Sequence, residues 1–226
     1  MKKDLTVIYM TANQLPESFI EYQRKVLLEA IGDYPLISVS RKPIDFGFNI
    51  FDSGEKSTDN IYRQMLIAAK VADTEFIAIA EDDCLYHENH FNFYRPEKNL
   101  FSYDQNRFAL FTWGEPIYSW RDRVSNCSLI APRALVIEAL EERFAKYPNL
   151  IPDKLTGELG RGRVDRNLGV TVREHTRPYA EVSIIQFNHD YSSEDRQRRH
   201  RKTLGQIKAY DLYYWGKASE LIKKFI

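Results

Sequence analysis

The chain has 226 residues, of which 43% are hydrophobic and 28% charged, a globular composition that excludes an intrinsically disordered protein. Lys plus Arg and Asp plus Glu are both 32, so net charge selects no class of partner. Two cysteines, Cys84 and Cys127, are too few for a disulfide framework and stand in no metal-type spacing.

No apolar run approaches membrane-spanning length, and Met-Lys-Lys-Asp at the start lacks the apolar core of a signal peptide. A soluble, cytoplasmic protein with no membrane partner is expected. The length fits one domain over residues 1–226. Oligomeric state is left open.

Leu5 to Thr11 predicts a buried first strand that ends at Ala12-Asn13. Pro16 suits a first helical turn, and Phe19, Val26, Leu27, Ala30 and Ile31 follow at helical spacing up to the stop at Gly32. Residues 35–40 predict a second strand, and residues 42–57, with Pro43, Gly47 and Gly54, a loop. Ser57 or Thr58 can cap a helix carrying Ile61, Met65, Leu66, Ala68, Ala69 and Val71. The strand Phe76 to Ala80 comes next. The order β-α-β-loop-α-β, with strands apolar on both faces, predicts an α/β protein with a parallel sheet covered by helices.

Beyond residue 106 the pattern predicts strands over 107–113, 117–120 and 125–131. A helix follows from Arg133 to about Lys146, with Leu135, Val136, Ala139, Leu140 and Phe144 at core spacing. Residues 148–168 read as a loop containing Gly160-Arg-Gly-Arg-Val-Asp165. Short strands are expected at 170–173 and 181–187, and a Tyr/Trp-rich amphipathic helix over 204–226. Residues 196–202 hold five Lys/Arg, a solvated helix start or a phosphate-binding footprint.

The feature that carries chemistry is Glu81-Asp82-Asp83, directly after the Phe76–Ala80 strand. Alternation along a strand puts Glu81 and Asp83 on one side and Asp82 on the other. Clustered carboxylates raise one another's pKa unless a cation lies between them, which makes this a candidate divalent-metal site. Thr11-Ala12-Asn13 also ends a strand, and ligands in such sheets bind beyond the carboxyl ends.

The β-α-β-α-β start closed by an acidic triplet resembles the GT-A glycosyltransferases, whose DxD-type motif stands here as Glu81-Asp82-Asp83. The resemblance covers the first half well and the second half in outline. It implies a GT-A-like (Rossmann-like), mostly parallel central sheet flanked by helices. It also implies a nucleotide-sugar half at about 1–105 and an acceptor half at about 106–226. The implied cofactor is Mn²⁺ or Mg²⁺, and the implied partner a nucleotide-diphosphate sugar.

Carried over residue by residue, the resemblance assigns Thr11, Ala12 and Asn13 to the nucleoside. It assigns Lys56, Asp59 and Arg63 to base and phosphate contacts, although a helix-surface ion pair explains Asp59 and Arg63 equally well. Glu81 and Asp82 would meet the donor, and Asp83, Glu81 and His189 the metal. His87 and His90 could share a helix face, but no complete ligand set surrounds them. Asp165, with Glu158 as second choice, would be the general base of an inverting enzyme. Trp113 and Glu115 fall on the acceptor side.

The chain is also similar to TET-associated glycosyltransferases, which implies a hydroxymethylated DNA base as acceptor. A saccharide or protein acceptor remains open. So do nucleotidyl transfer, which favours a Gly-rich phosphate loop where this chain has Thr11-Ala12-Asn13-Gln14, and a non-catalytic nucleic-acid-binding module.

Overall fold

The computed structural model describes residues 3–190 and 205–225. Strand β1 (Leu5–Thr11) is buried along its whole length. Helix α1 (Glu17–Ile31) starts behind Pro16 and stops at Gly32, whose φ of +52° suits glycine. Strands β2 (Leu36–Ser40) and β3 (Phe48–Phe51) follow. Helix α2 (Thr58–Val71) is capped by Ser57, whose side chain accepts from the Asn60 N–H at 3.0 Å. Strand β4 (Phe76–Glu81) ends inside the acidic triplet.

Then come β5 (Cys84–Leu85), α3 (Glu88–Asn92), β6 (Leu100–Tyr103), β7 (Arg107–Phe111) and β8 (Tyr118–Trp120). A 3-10 turn over Asn126–Ser128 leads into β9 (Leu129–Pro132) and α4 (Arg133–Lys146). The remaining elements are α5 (Gly162–Leu168), β10 (Glu174–Thr176), β11 (Ile184–Asn188), β12 (Ile207–Ala209), β13 (Asp211–Leu212), β14 (Gly216–Lys217) and the short helix α6 (Ala218–Leu221).

The central sheet has seven strands in the order β10-β6-β9-β4-β1-β2-β3. Only β9 runs against its neighbours, so the sheet is mostly parallel, as expected of a GT-A-like fold. Alternation along β4 divides the core. Ile77 and Ile79 pack with Met65, Ala68 and Ala69 of α2 and Val136, Ala139 and Leu140 of α4. Phe76, Ala78 and Ala80 pack with Leu27, Ala30 and Ile31 of α1. Burying each large aliphatic side chain contributes about 1.5–3 kcal/mol.

A second sheet, β12-β8-β7-β11-β5, lies over a third cluster built from Phe19, Leu110, Phe187, Leu221 and Phe225. Strand β5 follows β4 after two intervening residues and belongs to this second sheet, so the chain changes sheets at Asp82-Asp83.

Several expectations are corrected. Residues 42–57 contain the edge strand β3, whose exposed Phe48 and Phe51 hid its pairing with β2. Residues 125–131 begin as a 3-10 turn, and the strand starts only at Leu129. Residues 148–168 contain α5, too short and Gly-flanked to stand out by periodicity. Residues 170–173 are not a strand. The Thr171 N–H donates to Glu142 and the Arg173 N–H to Asp165, so side chains take the place of a ladder.

The closing helix expected over 204–226 is absent from the described residues 205–225. They form β12, a β13–β14 hairpin and α6 instead. Gly216 at φ +68° breaks any helix there, and Ala209, Leu212 and Trp215 dock on the second sheet. The basic run 196–202 lies outside the described residues.

Candidate active site

The Asp82-Asp83 turn sits where three strand ends meet. On its α1 side, Thr11 Oγ1 donates to Asp82 Oδ2 at 2.5 Å. Thr11 Oγ1 also accepts from the Asn13 N–H at 2.9 Å. Asn13 adopts φ +54°, a conformation asparagine tolerates, and its Oδ1 accepts from the N–H groups of Arg41 and Lys42. Ala12 is held half-buried between Thr11 and Asn13. Lys56 Nζ donates to Gln14 Oε1 at 2.6 Å, which brings Lys56 over the same loop.

On the other side, the second sheet delivers His189. Strand β5 pairs antiparallel with β11, with Cys84 opposite Gln186, and the Phe187 N–H donates to the Asp83 carbonyl at 2.8 Å. His189 Nε2 then lies 3.7 Å from Asp83 Oδ2, with both side chains buried. Cys84 Sγ donates to the other oxygen, Asp83 Oδ1, at 3.1 Å. Strand β7 runs parallel to β11 with Phe111 opposite Asn188, so Thr112 and Trp113 emerge level with His189. Trp113 packs edge-on against Phe111, and Glu115 accepts from the Tyr210 hydroxyl at 3.1 Å.

Glu81 takes a third direction. The antiparallel β4–β9 register pairs Ala78 with Ile130, so three residues on Glu81 faces Cys127. The Tyr86 hydroxyl fills the opening between these diverging segments. It accepts from the Glu81 N–H at 3.0 Å and donates to the Cys127 carbonyl at 3.0 Å. Burial, then Cys127 and the flanking Asp83 and Asp82, push the Glu81 carboxyl well above its ordinary range. Burial and then Asp83 push Asp82 up to about 7, against the opposing pull of Thr11, Arg24 and Lys56. A site that raises its own carboxylates in this way favours a cation. Asp83 and His189 supply the oxygen and imidazole donors that Mn²⁺ accepts.

The two base candidates occupy different surroundings. Asp165 is buried with both oxygens engaged, Oδ1 by Arg143 Nη2 at 2.9 Å and Oδ2 by the Arg173 N–H at 3.2 Å. Glu158 accepts from Arg161 at 2.6 Å. Burial, then the Glu158 charge, raise the Tyr62 phenol. Asp59 and Arg63 pair at 2.6 Å and bind the backbone of Ile151, Tyr147 and Pro148, which ties α2 to the loop after α4. His87 caps α3 through Nδ1, and His90 is buried against Asp104 at 3.1 Å.

Tyr86 and Cys127 adjoin Glu81, the Tyr62 hydroxyl accepts from the Asn126 side chain beside Cys127, and no local motif marks any of them.

No known family and no curated protein matches the sequence. Solved structures do. The chain is similar to a glycosyltransferase involved in glycosylation of the major capsid of PBCV-1, at 11% identity and TM-score 0.50, over 87% of this chain and 97% of that one. It is similar to S. aureus TarS in complex with UDP-GlcNAc, at 11% identity and TM-score 0.50, over 89% and 62%. Mannosyltransferase PcManGT from Pyrobaculum calidifontis, in complex with GDP-Man and Mn²⁺, matches at 13% identity and TM-score 0.49, over 87% and 60%. Nucleotidyltransferases match at lower TM-scores. The chain spans half of the bifunctional IspDF chain from Campylobacter jejuni that it matches. The fold is GT-A-like, a mixed α/β architecture with a mostly parallel seven-stranded central sheet. Among the described residues, no helix is long and apolar enough to cross a membrane.

Proposed function

We propose that this chain is a GT-A-type glycosyltransferase that uses a nucleotide-diphosphate sugar and Mn²⁺ or Mg²⁺. One observation carries the reading. Asp83 and His189, distant in sequence and delivered by different strands, lie 3.7 Å apart at the carboxyl ends of the parallel strands. Asp83 and His189 would hold the ion, which neutralises diphosphate charge as the leaving group departs.

The chain's own residues divide the remaining work. Asp82, fixed by Thr11, faces the donor beside the first-strand loop. Thr11, Ala12 and Asn13 line the nucleoside, and Lys56 supplies positive charge over that loop. Glu158 is the preferred general base for the acceptor hydroxyl, because Asp165 is committed to Arg143. Trp113 and Glu115 present the acceptor side.

The similarity to TET-associated glycosyltransferases extends the proposal to a hydroxymethylated base in DNA as acceptor. Incubating labelled sugar nucleotide with hydroxymethylated DNA and, separately, with saccharides decides between acceptors. Nucleotidyl transfer is less favoured, since Thr11-Ala12-Asn13-Gln14 is no Gly-rich phosphate loop.

The primary test is thermal unfolding with nucleoside diphosphates and sugar nucleotides, with and without Mn²⁺. One nucleotide class should stabilise the wild type only when the ion is present. Asp83→Asn and His189→Ala should each abolish that increment. No stabilisation by any nucleotide with any divalent ion refutes the proposal.

A further inference from the structure

We propose a second cation site, formed by Glu81, Cys84 and Cys127 and suited to Zn²⁺. It goes beyond the glycosyltransferase reading and does not depend on it. One ligand atom from each residue lies within 4.8 Å of the other two. The three come from different segments, namely the end of β4, the start of β5 and the 3-10 turn before β9. Both cysteines are fully buried and free of disulfides.

The distances suit the ion. With Zn–S near 2.3 Å and Zn–O near 2.0–2.2 Å, a tetrahedral ion holds its ligands about 3.5–4 Å apart. Side-chain rotation on binding would close the remaining gap from separations of up to 4.8 Å.

The electrostatics point the same way. Among the described residues the Glu81 carboxylate accepts no hydrogen bond and forms no ion pair; Asp82 and Asp83 stand beside it in the chain, and the Arg107 charge opposes theirs without bonding to it. Glu81 is half-buried beside two fully buried thiols, and a carboxylate so placed favours a cation. Without one, Cys84 spends its proton on Asp83 and Cys127 donates to Ser125 Oγ at 3.4 Å.

Two thiolates with one carboxylate select Zn²⁺ over Mg²⁺ or Mn²⁺, which prefer oxygen donors. Binding releases the two thiol protons to solvent and forms two Zn–S bonds and one Zn–O bond, with no change of oxidation state. The ion would pin together the three segments that frame the acidic turn. Asp83 joins the two sites, with Oδ1 towards Cys84 and Oδ2 towards His189.

The test is a titration of the full, reduced chain with Co²⁺, the spectroscopic substitute for Zn²⁺. Because Cys84 and Cys127 are the only cysteines, a near-ultraviolet thiolate-to-cobalt charge-transfer band in the wild type itself reports this site. The expected band saturates at one equivalent and disappears on addition of Zn²⁺. Cys84→Ser and Cys127→Ser each remove at least half of it. Glu81→Gln weakens Co²⁺ binding at least about tenfold. His189→Ala leaves the band intact.

No thiolate band in the wild type overturns the proposal, whether or not the variants fold. A band indifferent to Glu81→Gln, or abolished by His189→Ala, overturns the assigned ligand set. Mn²⁺-dependent nucleotide binding is read separately, so failure here leaves the Asp83–His189 reading standing.

Discussion

Tyr86 shows how one hydroxyl can hold a site open. It satisfies the Glu81 N–H and the Cys127 carbonyl beyond the end of the β4–β9 ladder, where the chain opposite β4 is the 3-10 turn. Tyr86→Phe strands both buried groups and should cost about 2–3 kcal/mol in urea unfolding, without changing the fold. Asp52 acts similarly on the surface. Burial raises its carboxyl, but hydrogen bonds from Asn60, Gly54 and Gln64 outweigh that and hold it below its ordinary value. A depressed folded pKa stabilises above the unfolded value and loses that contribution as pH falls through the folded one. Asp52→Ala should therefore cost about 1 kcal/mol near neutrality. The gap to wild type should shrink below about pH 4 in melts run across pH.

At the scale of elements, α5 and the turn before it place Glu158. Gly160 has φ +71°, and a Cβ there would meet Phe101 Cδ2 at 2.6 Å and the Glu174 carbonyl at 2.8 Å. Gly160→Ala should cost about 2 kcal/mol or more and should lower transfer by displacing Glu158. Asp165 anchors α5 to α4 through Arg143, which also donates to the Gly157 carbonyl at 2.8 Å. Asp165→Asn should cost about 3–5 kcal/mol, since it leaves a buried guanidinium without its counter-charge. Glu158→Gln should leave stability nearly unchanged while removing transfer activity. Chemical denaturation and a turnover assay on both variants separate anchor from base. The sequence placed the two carboxylates in one segment and, from the flanking arginines, put Asp165 first. Only the position of Arg143, on another helix, shows that Asp165 is already engaged.

For the whole molecule, the site depends on two sheets meeting at a two-residue turn. Phe225, near the chain end, packs against Phe19 of α1, stacks on Phe187 at 5.5 Å and lies 5.5 Å from the His189 ring. Phe225→Ala should cost about 3–5 kcal/mol and should also weaken Mn²⁺-dependent nucleotide binding, because His189 loses its packing. Thermal melts with and without ligand measure both effects.

The first 85 residues were legible because helix and strand periodicities are local properties. The apolar strands, the Pro16 start, the Ser57 cap and the acidic triplet at a strand end all follow from neighbours in sequence. Residues 205–225 were misread because aromatic spacing imitates a helix, whereas Gly216 and the docking on the second sheet decide otherwise. What the sequence alone determined is the mostly parallel sheet and the presence of carboxylates at its rim. Only the tertiary structure decided how those carboxylates divide. Asp82 turns to Thr11, Asp83 to His189, and Glu81 to a pair of cysteines whose spacing in the chain gave no sign of a shared site. Strand register across two sheets sets those partnerships, and register is a long-range property that no local pattern carries.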